Sequence, residues 1–361
     1  MAAETNRREA FQLYEQSLDL FQTPGDDWMS SNVLRELGRV AMYLGEYEKS
    51  VQLLEQCLKI RQDLGDQRAI ADVLWGLGTV LNYQGDFDKS LQMLKEGLTI
   101  SRTTGSQKEF AEILAMFSTA LACRGDLDEG YSKLEESVAL LEKLGKNYSL
   151  ALWIAFLGML QMWLGRYEEA RLQSERAIAI STEIDYPRGI GMASWVMGNL
   201  ALLRGAYSEA LVWAQRSYEI LQEIEQSDDK IWSLSLLANV TLVSGDIPQA
   251  QHYIRETILA AIDIHSFWGP IFLMPVVALY LIQRGEKERA IEIYALAACY
   301  PLVEKAPWFH DLAMRQVVAI TAALPTKIVF AAQARGKVRD MQSTLAELLR
   351  ELEGTIAISP H

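Results

Sequence analysis

The chain is poor in the residues that carry most protein chemistry. It has three cysteines and four histidines among 361 residues. Cys57, Cys123 and Cys299 are far apart and odd in number, which argues against a disulfide framework and indicates ordinary buried thiols in a reducing, cytoplasmic compartment. No two histidines have the H-E-x-x-H spacing of a zinc site, and no nucleophile elbow or dinucleotide-binding loop is present. We therefore expect no catalytic residue, no metal and no cofactor.

The chain also lacks excess positive charge and long apolar runs. Its net charge is −13, which argues against nucleic acid and anionic membrane surfaces as partners because both select for Lys and Arg. No run of about 18 consecutive apolar residues occurs, so the sequence predicts no transmembrane helix. The first residues, MAAETNRREAFQLYEQ, are polar and do not resemble a secretory signal.

What is present is a repeat. The stretch LGEYEKS has the Lys49–Ser50 pair of a phosphate-binding loop, but Glu48 stands where that loop requires a glycine. The same pattern returns as QGDFDKS, and the turn glycines are spaced by forty residues. These glycines are Gly45, Gly85, Gly125, Gly165, Gly205, Gly245 and Gly285. Each suits a tight turn between two helices, so the pattern indicates a structural repeat and no phosphate site.

Small residues flank every turn glycine at fixed distances. Seven residues before it lie Gly38, Gly78, Ser118, Gly158, Gly198, Ala238 and Ala278. Five residues after it lie Ser50, Ser90, Gly130, Ala170, Ala210, Ala250 and Ala290. A small residue on each helix at these offsets allows two antiparallel helices to approach closely, and large apolar neighbours fill the space around the contact.

The segment VLWGLGTVLNYQGDFDKSLQMLKEGLTI at residues 73–100 resembles the tetratricopeptide repeat. Unlike that family's usual unit, this one is longer and lacks the closing proline. The resemblance implies an all-α, right-handed superhelix (an α-solenoid) of seven helix pairs over residues 29–306. Long units of this kind also resemble the sensor arrays of bacterial STAND signal-transduction ATPases and of maltotriose-activator-like regulators.

The two ends differ from the repeat. Residues 1–28 contain a helix in the phase of a second repeat helix, which leaves Phe11, Tyr14, Leu18 and Phe21 short of a partner. The chain is therefore either a piece of a longer protein or begins with this helix as its cap. Residues 307–361 are predicted to form a cap of three helices, broken near Pro325 and Gly336, with a short tail.

The first helix of each pair should line the concave face of the solenoid. In the register of the resemblance, the candidate groove residues are Arg35, Arg39, Trp75, Asn82, Tyr83, Met159, Trp163, Trp195, Asn199, Trp232 and Asn239. Trp, Tyr and Met are enriched where proteins hold partners. The resemblance further implies that Asn199 and Asn239 pair with the backbone of a ligand. The alternative is that these side chains pack against neighbouring turns of the superhelix.

Two functions follow from this pattern. The first is a non-enzymatic sensor or interaction array that binds a peptide, a protein segment or a small apolar ligand in its groove, as part of a STAND-type ATPase or transcription regulator. The second is an architectural module that self-associates through its N-terminal half-repeat. Fold alone does not decide between them.

Overall fold

The structure is a computed structural model that describes residues 2–20, 27–223 and 227–356. These residues form helices joined by short turns, without a strand in the described ranges. The first fifteen helices are α1 (Ala2–Leu20), α2 (Asp27–Tyr43), α3 (Tyr47–Leu64), α4 (Gln67–Gln84), α5 (Phe87–Thr104), α6 (Gln107–Cys123), α7 (Leu127–Glu142), α8 (Tyr148–Trp163), α9 (Tyr167–Glu183), α10 (Pro187–Leu203), α11 (Tyr207–Glu223), α12 (Ser227–Val243), α13 (Ile247–Asp263), α14 (Trp268–Gln283) and α15 (Lys287–Ala297). The predicted all-α solenoid of helix pairs, α2/α3 to α14/α15, is confirmed.

The repeated glycines form the turn within each pair. Gly85 has φ +82°, and its N–H donates to the carbonyl of Asn82 at 3.1 Å. The N–H of Asp86 donates to Leu81 at 2.9 Å, which completes the left-handed helix end. The Asp86 carboxylate then accepts from the N–H of Lys89 and caps the start of α5. The chain reverses direction in two residues because a glycine and a capping aspartate stand next to each other.

The small residues beside the turn mark the closest contact between paired helices. A Cβ on Gly78 would lie 2.4 Å from Cγ of Leu94, and one on Gly38 would lie 2.7 Å from Cγ of Leu54. The Ser90 hydroxyl donates to the carbonyl of Gly78 at 2.7 Å, which joins α5 to α4 at this point. The close approach inferred from the sequence is therefore present in the structure.

The N-terminal helix α1 packs on α2. Phe11 is buried together with Val33 and Leu37, and Tyr14 and Leu18 pack against the same cluster. The expectation that Phe11, Tyr14 and Leu18 lack a partner is therefore wrong, because the first helix of the next unit covers them. Phe21 lies outside the described residues.

The C-terminal region consists of α16 (Pro301–Lys305), α17 (Pro307–Phe309), a π-helical turn (His310–Met314), α18 (Arg315–Ala322), α19 (Thr326–Lys337) and α20 (Met341–Ile356). A Cβ on Gly336 would lie 2.1 Å from the carbonyl oxygen of Glu292, so α19 touches α15 closely there. The guanidinium of Arg335 donates to the Glu292 carboxylate at 2.6 Å. The breaks expected near Pro325 and Gly336 coincide with the ends of α19, while the division at residues 28/29 and 306/307 stays a prediction.

The superhelix turns far enough for its two halves to meet. The Tyr47 hydroxyl on α3 donates to Oδ2 of Asp228 on α12 at 2.8 Å. The ring of Phe87 lies edge-on to that of Phe267, with centroids 5.5 Å apart. Further along, Pro307 lies 3.3 Å from the Cβ position of Gly165. The turns of the early units therefore face the late units and the C-terminal region.

The cysteines do not share one environment. Cys57 and Cys123 are buried, as expected, and burial raises the pKa of the Cys57 thiol to about 11. Cys299 is exposed because it follows the end of α15, so the expectation of three buried thiols is wrong for that residue.

Candidate ligand-binding site

Seven of the eleven predicted groove residues are core residues. Each of them is at most 5% exposed: Asn82, Met159, Trp163, Trp195, Asn199, Trp232 and Asn239. The assignment of these seven to an open groove is therefore corrected. Their large apolar area is buried inside the chain and does not face solvent.

Helix α14 covers the tryptophans among these side chains. It is buried from Trp268 to Leu281, and Phe272 on it contacts three of the predicted groove tryptophans. The ring centroid of Phe272 lies 6.2 Å from that of Trp163, 5.5 Å from Trp195 and 5.7 Å from Trp232. The indole N–H of Trp195 donates to the carbonyl of Trp232 at 3.0 Å. The late units thus place their own apolar helix where a ligand was expected.

The asparagines are buried for different reasons. Asn199 donates its side-chain amide to the carbonyl of Trp195 in its own helix, at 2.9 Å. Asn239 is 2% exposed, and its Oδ1 has no hydrogen-bond partner among the described residues. Asn82 is 5% exposed and donates to the sulfur of Met116 at 3.5 Å. All three amides are buried, so none of them is exposed to the backbone of a ligand in an open groove.

A small cavity remains beside this core. It has a volume of about 30 Å³, and its lining includes Asn82, half-buried Tyr83, Trp163 and Trp232. That space accommodates about one water molecule, which is too little for a residue of a peptide. This part of the predicted groove therefore has no room for a peptide side chain.

The concave face stays open at the first two units, between α2 and α4. A cleft of about 340 Å³ lies there, which we call the α2–α4 cleft. Its lining residues are Arg35, Glu36, Arg39, Met42, Tyr43, Leu54, Asp72, Trp75, Gly76, Thr79 and Val80. The buried side chains of Leu54 and Val80 give it an apolar floor, and half-buried Trp75 and Tyr43 also line it. The predicted groove residues Arg35, Arg39 and Trp75 come together here.

Charged side chains of both signs surround the cleft. Arg35 donates to Asp72 at 2.5 Å and to Glu36 at 2.9 Å, and Arg39 donates to Glu36 at 2.5 Å. Two guanidinium and two carboxylate groups give this rim no net charge. Nε of Arg35 and Nε1 of Trp75 are buried donors without a partner in the described part of the chain, and such donors cost about 1–3 kcal/mol each.

A second cleft of about 290 Å³ adjoins the first and shares Arg35 and Asp72 with it. It contains Arg61, which is 3% exposed and donates to Oδ1 of Asn32 at 2.5 Å. The guanidinium of Arg61 also lies 5.5 Å from the ring of Trp28. Arg61 is not among the predicted groove residues because it lies on α3, the second helix of its pair, which was not expected to reach the concave side.

Sequence comparison agrees with this architecture. A family profile described as Tetratricopeptide repeat matches residues 3–63 and 29–103. These residues include α2 to α5, the two helix pairs that form the open clefts, and the later pairs continue the same register. Residues 3–103 are tetratricopeptide repeats. No curated protein matches it in sequence.

Solved structures of tetratricopeptide-like arrays share its fold. A Rap protein complexed with Competence and Sporulation Factor superposes with a TM-score of 0.61 at 10% identity, over 98% of this chain and 99% of that chain. The Rap conjugation gene regulator of the plasmid pLS20, in complex with the Phr* peptide, gives 0.62 at 14% identity, over 83% and 78%. The apo form of RapI gives 0.57 at 14% identity, over 71% and 91%. Identities this low establish a common fold only.

Two further properties bear on the site. No described helix is long and apolar enough to cross a membrane. Within the described residues there is no group of three or more His, Cys, Asp or Glu side chains that could hold a metal ion. The predicted link of this tetratricopeptide-repeat array to a STAND ATPase is not tested by any of these comparisons and stays a prediction.

Proposed function

We propose that this protein is a non-enzymatic binding module that takes a peptide segment in the open part of its concave face, across α2 and α4. The observation that carries the proposal is the α2–α4 cleft, where the array leaves an aromatic side chain and charged rim groups uncovered above a buried apolar floor. Its volume of about 340 Å³ lies within the range of ligand pockets.

The similar folds support this reading. One Rap protein of the same fold is complexed with Competence and Sporulation Factor, and another with the Phr* peptide. A regulatory role for this chain, in the cytoplasm and as the sensor part of a larger signalling protein, belongs to the same proposal. Self-association through the N-terminal half-repeat has less support, because α2 covers Phe11 and its apolar neighbours.

A selection from a displayed random-peptide library, followed by affinity measurements, tests the proposal. We expect enriched peptides to bind Trp75→Ala at least about 30-fold more weakly, since a central aromatic residue contributes roughly 2 kcal/mol or more at an interface. Arg39→Glu changes an exposed rim residue and should also weaken binding. Leu172→Ala, on the exposed face of α9, is the matched control and should bind like the wild type.

Thermal unfolding of each variant, followed by circular dichroism, separates loss of the site from loss of the fold. Failure to enrich any peptide would overturn the proposal. So would enriched peptides that bind both cleft variants normally, because their site would then lie elsewhere on the array.

A further inference from the structure

Gly76 lines the α2–α4 cleft, and the packing around it does not require a glycine. It lies inside α4, where glycine is less favourable than alanine by about 1 kcal/mol. A Cβ there would meet only Cδ1 and Cδ2 of Leu54, at 3.5 and 3.7 Å, which are ordinary van der Waals distances. By contrast, Gly78 on the same helix is crowded by Leu94. Helix packing therefore does not account for glycine at position 76.

The repeat register shows what this glycine changes. Side chains occupy the equivalent position in every other unit, namely Glu36, Met116, Phe156, Val196, Leu236 and Val276. Met116 and Phe156 line the small cavity of about 30 Å³ near units 3 and 4. Unit 2 has no side chain at this position, and the cleft beside it measures about 340 Å³. The missing side chain contributes space that a ligand group can fill.

We infer that the α2–α4 cleft is a slot for one aromatic side chain of the bound peptide, inserted beside Gly76. The proposal rests on the proposed function and names the anchor of its ligand. Leu54, Val80 and the open flank of Gly76 supply an apolar floor for a ring. Trp75 supplies an aromatic surface against which a second ring can stack or lie edge-on.

The polar groups of the slot favour the same occupant. The guanidinium groups of Arg35 and Arg39, 41% and 52% exposed, stand at the rim where they can lie over an inserted ring. The chain uses this contact itself, since the guanidinium of Arg7 lies 5.1 Å from the ring of Tyr43 in the cleft wall. The rim carries no net charge, so a ring with π faces fits it better than a charged side chain does. Two buried donors, on Arg35 and Trp75, have no partner among the described residues and are complementary to a carbonyl or carboxylate oxygen next to the ring.

The test uses N-acetyl-phenylalaninamide, N-acetyl-leucinamide and N-acetyl-alaninamide as single-residue probes, with binding followed by ligand-observed NMR. We expect the phenylalanine probe to bind the wild type most tightly and the alanine probe to bind at least about tenfold more weakly, in proportion to the apolar area lost. Gly76→Ala adds one methyl group and should reduce binding only slightly. Gly76→Leu places a branched side chain where the ring would be inserted and should lower binding by at least about tenfold.

Loss of folding would not explain weaker binding by Gly76→Leu, because leucine is a better helix former than glycine. The thermal midpoint of Gly76→Leu should therefore equal or exceed that of the wild type. The inference is overturned if Gly76→Leu binds the phenylalanine probe like the wild type, or if the leucine probe binds as tightly as the phenylalanine probe. A comparison of the free-acid and amide forms of N-acetyl-phenylalanine shows whether a terminal carboxylate or an internal carbonyl occupies the polar part of the slot.

The outcomes separate this inference from the proposed function. If the enriched peptides need Trp75 but bind Gly76→Leu like the wild type, the aromatic slot is overturned and the proposed peptide site is retained. If no peptide is enriched but binding of the phenylalanine probe depends on Gly76, the peptide-binding function is overturned. The cleft would then be a site for small aromatic molecules.

Discussion

At the scale of single residues, Gly76 and Gly78 of α4 differ in how closely their neighbours approach them. A Cβ on Gly78 would overlap Leu94 at 2.4 Å, whereas one on Gly76 would touch Leu54 at normal distance. Only Gly78 is required by the fold. The repeat pattern identifies Gly78, because small residues recur at its position, whereas at the position of Gly76 the six other units have a side chain.

The pair gives opposite predictions for the same substitution. Gly78→Ala should destabilise the protein by about 1–3 kcal/mol, because the added methyl group forces α4 and α5 apart. Gly76→Ala should stabilise it by about 0.5–1 kcal/mol through helix propensity alone. Urea unfolding at equilibrium measures both values. Equal effects of the two substitutions would show that the crowding at Leu94 does not decide the requirement for glycine.

At the scale of elements, the short helices α16 and α17 tie the C-terminal region to the array. Trp308 and Phe309 on α17 are 2% and 0% exposed, and the ring of Trp308 lies 5.9 Å from that of Trp195. The adjoining π-helical turn places Asp311 where its carboxylate accepts a hydrogen bond from the Tyr167 hydroxyl. The three-residue helix α17 therefore places two large side chains, Trp308 and Phe309, in the core shared with the array.

Trp308→Ala should lower the free energy of unfolding by about 3–5 kcal/mol, the usual effect of emptying a buried aromatic site. Phe330→Ala removes an aromatic ring from α19 that is 68% exposed, and it should change stability by less than about 0.5 kcal/mol. Both values come from urea unfolding monitored by circular dichroism. A Trp308→Ala protein as stable as the control would mean that α17 contributes little to holding the C-terminal region.

At the scale of the whole molecule, a buried polar cluster joins the first units to the sixth. Asp228 accepts hydrogen bonds from the hydroxyls of Tyr47 and Ser266. The neighbouring Asp229 pairs with Arg188 at 2.7 Å, and its side chain is 1% exposed. Burial raises the pKa of Asp228 to about 6, further supported by the negative charge of Asp229. The Asp228 carboxylate is thus charged at neutral pH at an energetic cost.

The sign of the resulting pH dependence follows from linkage. Because the folded pKa of Asp228 exceeds its unfolded value of about 3.9, this group stabilises the fold most at low pH, and the contribution is lost as pH rises through about 6. Between pH 4 and 7, roughly, wild-type stability should therefore fall relative to Asp228→Asn, by an amount of order 3 kcal/mol. Urea unfolding across this range measures the difference.

Asp263→Asn, at an exposed aspartate of α13, serves as the control and should follow the wild-type profile. If Asp228→Asn also follows it, the carboxyl group of Asp228 does not titrate in this range within the closed superhelix.

The sequence by itself determined everything that depends on contacts within one repeat. Turn glycines and small contact residues act within about forty residues of chain, so they repeat and can be read from a period. The helix pairs, the absence of strands in the described ranges and the close approach at Gly38 and Gly78 followed from that period. Arg35, Arg39 and Trp75 were placed on the concave side by the same register, and they do meet in one cleft.

Only the tertiary structure decided which concave side chains remain open. Trp195 has the register position of Trp75, and Trp232 and Asn199 occupy other predicted concave positions, so in the sequence all three look as suited to a ligand as Trp75 does. The two tryptophans are buried against Phe272, and contacts such as Tyr47–Asp228 join residues 181 positions apart. Contacts of this range leave no periodic signal. Superhelical curvature is the sum of small rotations over several units, so it sets the distance between far-apart units and thereby the position of the open site.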